Sequence, residues 1–113
     1  MLIYKIAPAA LWREAEAAGV FTGAPVDLQD GYIHFSTAEQ TVETAAKHFR
    51  GQVDLLLIAI EADQLGPALK WEVSRGGQLF PHLYGTLPVS AAASVSSIPI
   101  KPDGFHDFTG LIS

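Results

Sequence analysis

The longest uninterrupted apolar run in the chain lies at residues 55–60, inside the segment VDLLLIAI. A strand whose side chains are all apolar is typical of the middle of a sheet, where both of its faces are covered. The run is far too short for a membrane-spanning helix. We therefore predict that residues 53–60 form the central strand of a globular domain without a membrane partner.

Length and charge restrict the partners of such a domain. The 113 residues have room for one domain, residues 1–113. The net charge of −5, with only 7 Lys and Arg, excludes the basic surface that holds a long nucleic acid. A small nucleotide or another phosphorylated small molecule needs only one or two cations, so this class of ligand stays open.

The amino terminus and the absence of cysteine indicate the cellular compartment in which the protein is expected. The first residues lack the order of a basic segment, an apolar run and a cleavage site that marks a secretory leader. Without cysteine there is neither a disulfide framework nor a thiolate ligand. Both observations favour a cytoplasmic protein, and neither specifies an oligomeric state.

Hydrophobic periodicity predicts an α+β fold. Apolar residues recur at helical spacing in two segments, and strand-like segments lie between Gly, Pro and Asp residues. Strands and helices do not alternate regularly, which favours a mostly antiparallel sheet with two main helices. In order, we predict strands at residues 2–6, 32–35, 53–60, 69–74, 79–84 and 95–100, helices from Pro8 to Gly19 and from Ser36 or Thr37 to Gly51, a loop over residues 20–31 and a hairpin turn over residues 75–78.

The hairpin carries two further expectations. Pro81 has no N–H to donate to a neighbouring strand, so it predicts an edge or bulged strand. Period-two alternation directs Trp71 toward the core and Glu72 to the opposite face, either into solvent or into a cleft.

The first candidate site surrounds the start of the second helix. His34 shares a strand face with Tyr32, and Ser36 and Thr37 stand where the helix begins. Free N–H groups at a helix N-terminus attract phosphate or carboxylate, so these residues predict an anion site. The alternative is that the hydroxyls only cap the helix while His34 binds a backbone carbonyl.

The second and third candidate sites lie in LKWEVSRGG and LFPHLYG. Arg75 precedes two glycines, so its guanidinium and bare N–H groups can meet one anion, unless the turn is only an exposed tip. Phe80, His82 and Tyr84 share a face that can stack on adenine or nicotinamide, or that packs on a helix. The histidines of the chain lack the close spacing of a zinc site, so we predict no metal ion.

Taken together, DGYIHFSTAEQ, LKWEVSRGG and FPHLYG resemble the bacterial family called domain of unknown function 952, in order and over essentially the whole chain. The resemblance implies a fold similar to the ADP-ribosyltransferases, most closely to the RNA 2′-phosphotransferase type. In that type, a split antiparallel sheet holds NAD or an ADP-ribosylated intermediate in a central cleft.

The resemblance also implies roles for single residues. His34 and Ser36 match the second motif of the phosphotransferases, while the acid of the third motif is either Glu72 or absent. Lys5 replaces the histidine of the first motif; it reaches a phosphate but lacks the acceptor of a neutral imidazole. The implied catalytic residues are Glu72 and His34, and the implied ligand-binding residues are Lys5, Ser36, Thr37, Arg75, Phe80, His82 and Tyr84.

Three functions follow as hypotheses. The first is a small enzyme of the ADP-ribosyltransferase type that acts on NAD, ADP-ribose or a related phosphorylated nucleotide, with NAD as a substrate rather than a resident cofactor. The second is a non-catalytic module that binds a nucleotide or an acidic metabolite in the same cleft. The third is a protein-interaction domain that offers FPHLYG, residues 80–85, as an exposed edge strand.

Overall fold

The computed structural model describes residues 1–112, except the side chain of Arg75. Within this part the chain forms nine strands and three α-helices, joined by short turns. The strands are β1 Leu2–Pro8, β2 Val20–Phe21, β3 Ile33–His34, β4 Ser36–Thr37, β5 Leu55–Glu61, β6 Leu69–Val73, β7 Leu79–Leu83, β8 Leu87–Pro88 and β9 Ala92–Ser97, and the helices are α1 Ala9–Ala18, α2 Pro25–Asp30 and α3 Ala38–His48.

The larger sheet has the strand order β4-β1-β5-β9, and all of its paired strands are antiparallel. Every residue of β5 from Leu55 to Ile60 is buried. Alternate side chains enter two apolar clusters, with Ile58 in one and Leu57 in the other. Since neighbouring side chains of a strand point to opposite faces, both faces of β5 are covered. The predicted central strand is therefore confirmed.

A smaller sheet has the order β3-β7-β6, and β2 pairs with β8. The chain passes from the smaller sheet to the larger one at Phe35, whose N–H donates to the Pro81 carbonyl at 3.0 Å. The predicted α+β fold with antiparallel sheets is confirmed in this divided form. The strand predicted for residues 32–35 is confirmed as the shorter β3, while β4 directly after it belongs to the larger sheet.

Pro81 does not mark an edge strand, because β7 is the middle strand of the smaller sheet. The N–H and C=O of one residue point to the same side of a strand. Since the Pro81 carbonyl accepts from Phe35, the proline nitrogen faces the side on which β3 has already ended. The missing N–H therefore does not interrupt the pairing of β7 with β6. With β3 on one side and β6 on the other, β7 is not the exposed edge that an interaction domain would use.

Trp71, which alternation directs toward the core, is 40% exposed. It does share a sheet face with Leu83 and Ile33, which are buried in the core. The neighbouring Val73 and Leu79 are exposed as well, because this end of the β6–β7 hairpin extends beyond the core. Alternation therefore predicts the correct face of the sheet, but it does not predict how far along the hairpin the core covers that face.

The loop predicted for residues 20–31 is wrong in part, since it contains β2 and the helix α2. Pro25 begins α2, where its fixed φ suits the first turn. The Asp27 carboxylate accepts the Ala24 N–H at 2.8 Å and so satisfies a backbone donor at the helix start. Gly23 comes so close to this carboxylate side chain that an added Cβ would lie 2.9 Å from the Asp27 Cβ. These contacts stabilise a helix that is too short to form alone.

Two predicted boundaries also shift. The last strand, β9, begins earlier and covers only the first half of the predicted residues 95–100, and α3 ends before Gly51. No helix within residues 1–112 combines the length and apolar character needed to cross a membrane.

Candidate functional site

A cleft of about 660 Å³ lies between the two sheets and extends along α3. Ligand pockets for small molecules commonly have volumes of this size. One wall comes from β1 and α3 and the other from α2, β3 and β7. Its polar lining includes Lys5, Asp30, His34, Ser36, His48 and His82, and its aromatic lining includes Tyr4, Tyr32, Phe49 and Phe80.

The smaller sheet brings three distant segments together on one face. Residues that pair directly across antiparallel strands point to the same face, and His34 pairs with His82 while Glu72 pairs with Phe80. The ring centroids of His34 and His82 are 5.6 Å apart. Tyr32 stacks on His82 at 4.1 Å between ring centroids. The structure therefore places the imidazoles of two predicted segments and the carboxylate of a third beside one another.

Asp27 is the centre of a buried polar cluster behind this face. Its carboxylate accepts from the Lys5 ammonium at 2.8 Å and from the His34 Nδ1 at 2.6 Å. It also accepts the backbone N–H groups of Ala24 and His34. Burial opposes the ionisation of Asp27, but the hydrogen bond from His34 and the charge of Lys5 outweigh it and lower its pKa to about 2.

Lys5 lines the cleft, yet its ammonium belongs to this cluster. The side chain is 5% exposed, and burial lowers its pKa although Asp27 opposes the shift. A buried ammonium is stabilised only when it is paired, so Lys5 and Asp27 depend on each other. The structure thus explains why a lysine stands in β1: it compensates the carboxylate that holds α2 and β3.

His34 is the most accessible member of the cluster, with 30% of its side chain exposed. Its Nε2 lies 2.9 Å from the Asp30 carboxylate, which is itself 40% exposed at the cleft. Carboxylate oxygens only accept, so both ring nitrogens of His34 must carry protons for both hydrogen bonds to form together. Of the two carboxylates that accept from His34, Asp30 is the exposed one, so a ligand could take its place as the acceptor of the Nε2 proton.

Glu72 forms a second polar cluster on the same face. Its Oε1 accepts from His82 Nδ1 at 2.9 Å and from the Tyr84 hydroxyl at 2.7 Å. The hydrogen bonds from Tyr84 and His82 lower the pKa of Glu72, and the bond to Glu72 raises the pKa of Tyr84 to about 12. Glu72 and Tyr84 are not part of the cleft lining and reach the cleft through His82.

The other predicted site residues take different positions. Ser36 and Phe80 line the cleft, and the Ser36 hydroxyl is hydrogen bonded to Thr44 at 3.0 Å. Thr37 is buried at the start of α3, where its N–H donates to the Gln40 side chain, and it does not line the cleft. The side chain of Arg75 lies outside the described part of the chain. In residues 1–112 no three His, Asp or Glu side chains are grouped to hold a metal ion.

Sequence reasoning missed Asp27, Asp30 and Tyr32, which contact the two histidines, and also Tyr4, His48 and Phe49 of the cleft lining. Asp27 had a local signal, because an acid two positions after Pro25 is typical of a helix start. Asp30 lies one turn of helix further along α2. Tyr32 was assigned only to the strand face of His34, and its stacking on His82 depends on the pairing of β3 with β7.

The fold and this cleft define an α+β protein in which two antiparallel sheets enclose an imidazole-lined and aromatic-lined cleft. The chain belongs to the family described as protein of unknown function DUF952, whose model matches residues 6–95. That range includes all three sequence motifs, so the predicted family is confirmed. No curated protein matches the chain.

Solved structures of a related protein share the whole fold. The crystal structure of protein CC0527 from Caulobacter crescentus is 51% identical, with 96% of each chain covered and a TM-score of 0.94. The solution NMR structure of CC0527 is 50% identical, covers 99% of this chain and 97% of that one, and has a TM-score of 0.88. The divided antiparallel architecture is therefore common to both proteins.

Proposed function

We propose that the cleft binds a nucleotide-type ligand, namely NAD, ADP-ribose or a related phosphorylated nucleotide, and that the fold is of the ADP-ribosyltransferase-like type. The observation that carries the proposal is the convergence of Tyr32, His34 and His82 on one wall of a cleft of about 660 Å³. Flat rings and ribose hydroxyls are the ligand groups that such a wall accommodates.

Each part of the ligand has a counterpart in the cleft. A base or nicotinamide ring packs against the aromatic side chains, among which Phe80 was predicted. Ribose hydroxyls donate to Asp30, in exchange for its hydrogen bond with His34. The phosphate is assigned to the wall that carries Ser36 and to the turn that begins at Arg75.

An enzymatic version of this function is transfer of an ADP-ribosyl group. The bond between ribose and nicotinamide breaks, nicotinamide leaves with the electron pair, and water or an acceptor hydroxyl forms the new bond to the anomeric carbon and releases its proton. His34 holds the ribose hydroxyls. Glu72 has a lowered pKa, and its ionised carboxylate acts on the developing positive charge through its hydrogen bond with His82. Because Glu72 lies behind His82 rather than in the cleft lining, a non-catalytic binding module is the second candidate.

Calorimetry and thermal unfolding with NAD, ADP-ribose and AMP test the binding function. A ligand present at about 100 times its Kd adds ~2.7 kcal/mol to the free energy of unfolding. We expect Tyr32→Leu to weaken this binding, because it removes the ring that stacks on His82. Trp71→Leu is the matched control, since Trp71 lies on the opposite face of the smaller sheet. If none of the three compounds binds, the proposed function is wrong.

Release of nicotinamide from NAD decides between the two candidates. An enzyme releases nicotinamide, and Glu72→Gln abolishes the release while leaving NAD bound. A binding module retains NAD unchanged. Release that continues undiminished in Glu72→Gln removes Glu72 from the mechanism.

A further inference from the structure

His82 presents one ring nitrogen to the protein and leaves the other without a protein partner. Nδ1 is 2.9 Å from Glu72 Oε1, and among the described residues this is the hydrogen bond that the His82 ring forms. His82 lines the cleft, so Nε2 is the nitrogen that a ligand can reach. Its side chain is 4% exposed, which leaves little room for rotation.

The surroundings of His82 fix which nitrogen carries the proton. A carboxylate only accepts, so Nδ1 must donate to Glu72, and in the neutral imidazole Nε2 then holds a lone pair. The Tyr84 hydroxyl donates to the same carboxylate oxygen and keeps it in the accepting role. Tyr32 covers one face of the ring at 4.1 Å between centroids.

A second acceptor lies at the same end of the cleft. The Asp30 carboxylate is 2.9 Å from the Nε2 of His34, whose ring is 5.6 Å from that of His82. The Asp30 carboxylate and the Nε2 lone pair of His82 both accept hydrogen bonds, so this end of the cleft favours a ligand group that offers hydrogens over a phosphate, which offers only lone pairs.

We propose that His82, held in one tautomer by Glu72, is a fixed hydrogen-bond acceptor that selects ligands with a free ribose hydroxyl at this end of the cleft. This inference rests on the proposed function and adds the orientation of the ligand. The unmodified sugar hydroxyls lie at His82 and Asp30, and the phosphate lies away from them. Glu72 is a positioning residue, because it acts on the ligand only through His82.

The tautomer of His82 is measured without any ligand. Long-range ¹H–¹⁵N NMR spectra of the free protein at pH 8 are expected to show a proton on Nδ1 and none on Nε2. Glu72→Gln is expected to abolish this preference, because an amide can donate to Nδ1 as well as accept from it. Tyr84→Phe is the control that retains the carboxylate and the tautomer. A proton on Nε2 of the unmodified protein, alone or with one on Nδ1, overturns the proposal.

Selection for a hydroxyl is measured with AMP, 2′-deoxy-AMP and 3′-deoxy-AMP by calorimetry. Loss of the hydroxyl that donates to His82 is expected to weaken binding about tenfold or more, since it leaves a desolvated acceptor unpaired. His82→Phe keeps a ring against Tyr32 and is expected to bind AMP and the analogue without that hydroxyl equally. Equal binding to the unmodified protein refutes the selection and leaves the proposed function standing. If AMP does not bind, the proposed function is refuted for AMP, and the tautomer still decides whether His82 is a fixed acceptor.

Discussion

Asp27–His34 and Glu72–His82 are two pairs of the same chemical groups with opposite burial. In the first pair the carboxylate is 1% exposed and the imidazole 30% exposed. In the second the carboxylate is 38% exposed and the imidazole 4% exposed. The two imidazoles lie on one sheet face, with their ring centroids 5.6 Å apart. Chemical identity alone therefore does not decide what such a pair contributes.

The difference lies in what surrounds each carboxylate. Asp27 joins β1, α2 and β3, because Lys5, Ala24 and His34 all donate to it. Breaking a buried ion pair on one side leaves a charge without compensation, which costs far more than the pair itself contributes. Glu72 is reached by solvent, so the loss of its charge lowers the free energy of unfolding less. Its main effect is on His82 and Tyr84, which donate hydrogen bonds to it. The first pair stabilises the fold and the second orients a cleft residue.

The largest effect is expected for Asp27→Asn. Lys5 then remains buried without a counter-charge, and we expect the free energy of unfolding to fall by about 3–5 kcal/mol. Urea denaturation measures the change. The double variant Lys5→Met with Asp27→Asn removes both charges and is expected to recover part of the loss. A fall of less than 1 kcal/mol in the single variant would show that the pair does not hold the fold.

The next effect is a loss of stability in acid. The pKa of Asp27 is about 2 in the folded protein, below its ordinary value of 3.8. A carboxyl with a lowered folded pKa stabilises the protein above its unfolded pKa, and this contribution is lost as the pH falls from about 4 to about 2. The loss is on the order of 2 kcal/mol for this group. Denaturation between pH 5 and pH 2 measures it, and the slope should be shallower in the double variant without either charge.

A smaller loss of stability is expected for Asp30→Asn. This variant is the matched control for Asp27→Asn, because both acids lie on the same helix. The Asp30 side chain is 40% exposed, and its bond to His34 is an exposed ion pair. Such pairs contribute under about 1 kcal/mol, so the denaturation midpoint should move little. A loss comparable with that of Asp27→Asn would contradict the contrast between the inner and outer carboxylates.

The smallest effect on stability is expected for Glu72→Gln, which nevertheless changes Tyr84. Glu72 raises the pKa of Tyr84 to about 12, and a neutral amide removes the charge that disfavours tyrosinate. The pKa of Tyr84 should therefore fall toward its ordinary value of 10. Ultraviolet titration of the tyrosines follows this shift, and Tyr84→Phe identifies the signal. If the late-titrating tyrosine persists in Glu72→Gln, the hydrogen bond is not its cause.

Local patterns predicted most of the large elements and the candidate residues. The apolar run at residues 53–60 predicted β5, and alternation predicted that Glu72 lies on the face opposite Trp71. His34, Glu72 and His82 were all singled out by residue type and by the likeness of their motifs. Three short strands were missed, because β2, β4 and β8 have only two residues each and depend on partners far along the chain.

The sequence by itself determined the central strand, the two main helices, the antiparallel α+β class and the family, because periodicity and motifs are properties of neighbouring residues. Only the tertiary structure decided which acids meet which imidazoles. Asp27 and Lys5 are separated by 22 residues, and His82 and Glu72 meet only through the register of β6 with β7. Burial is a property of the assembled sheets, so the opposite environments of the two pairs arise only when β3 and β7 lie side by side.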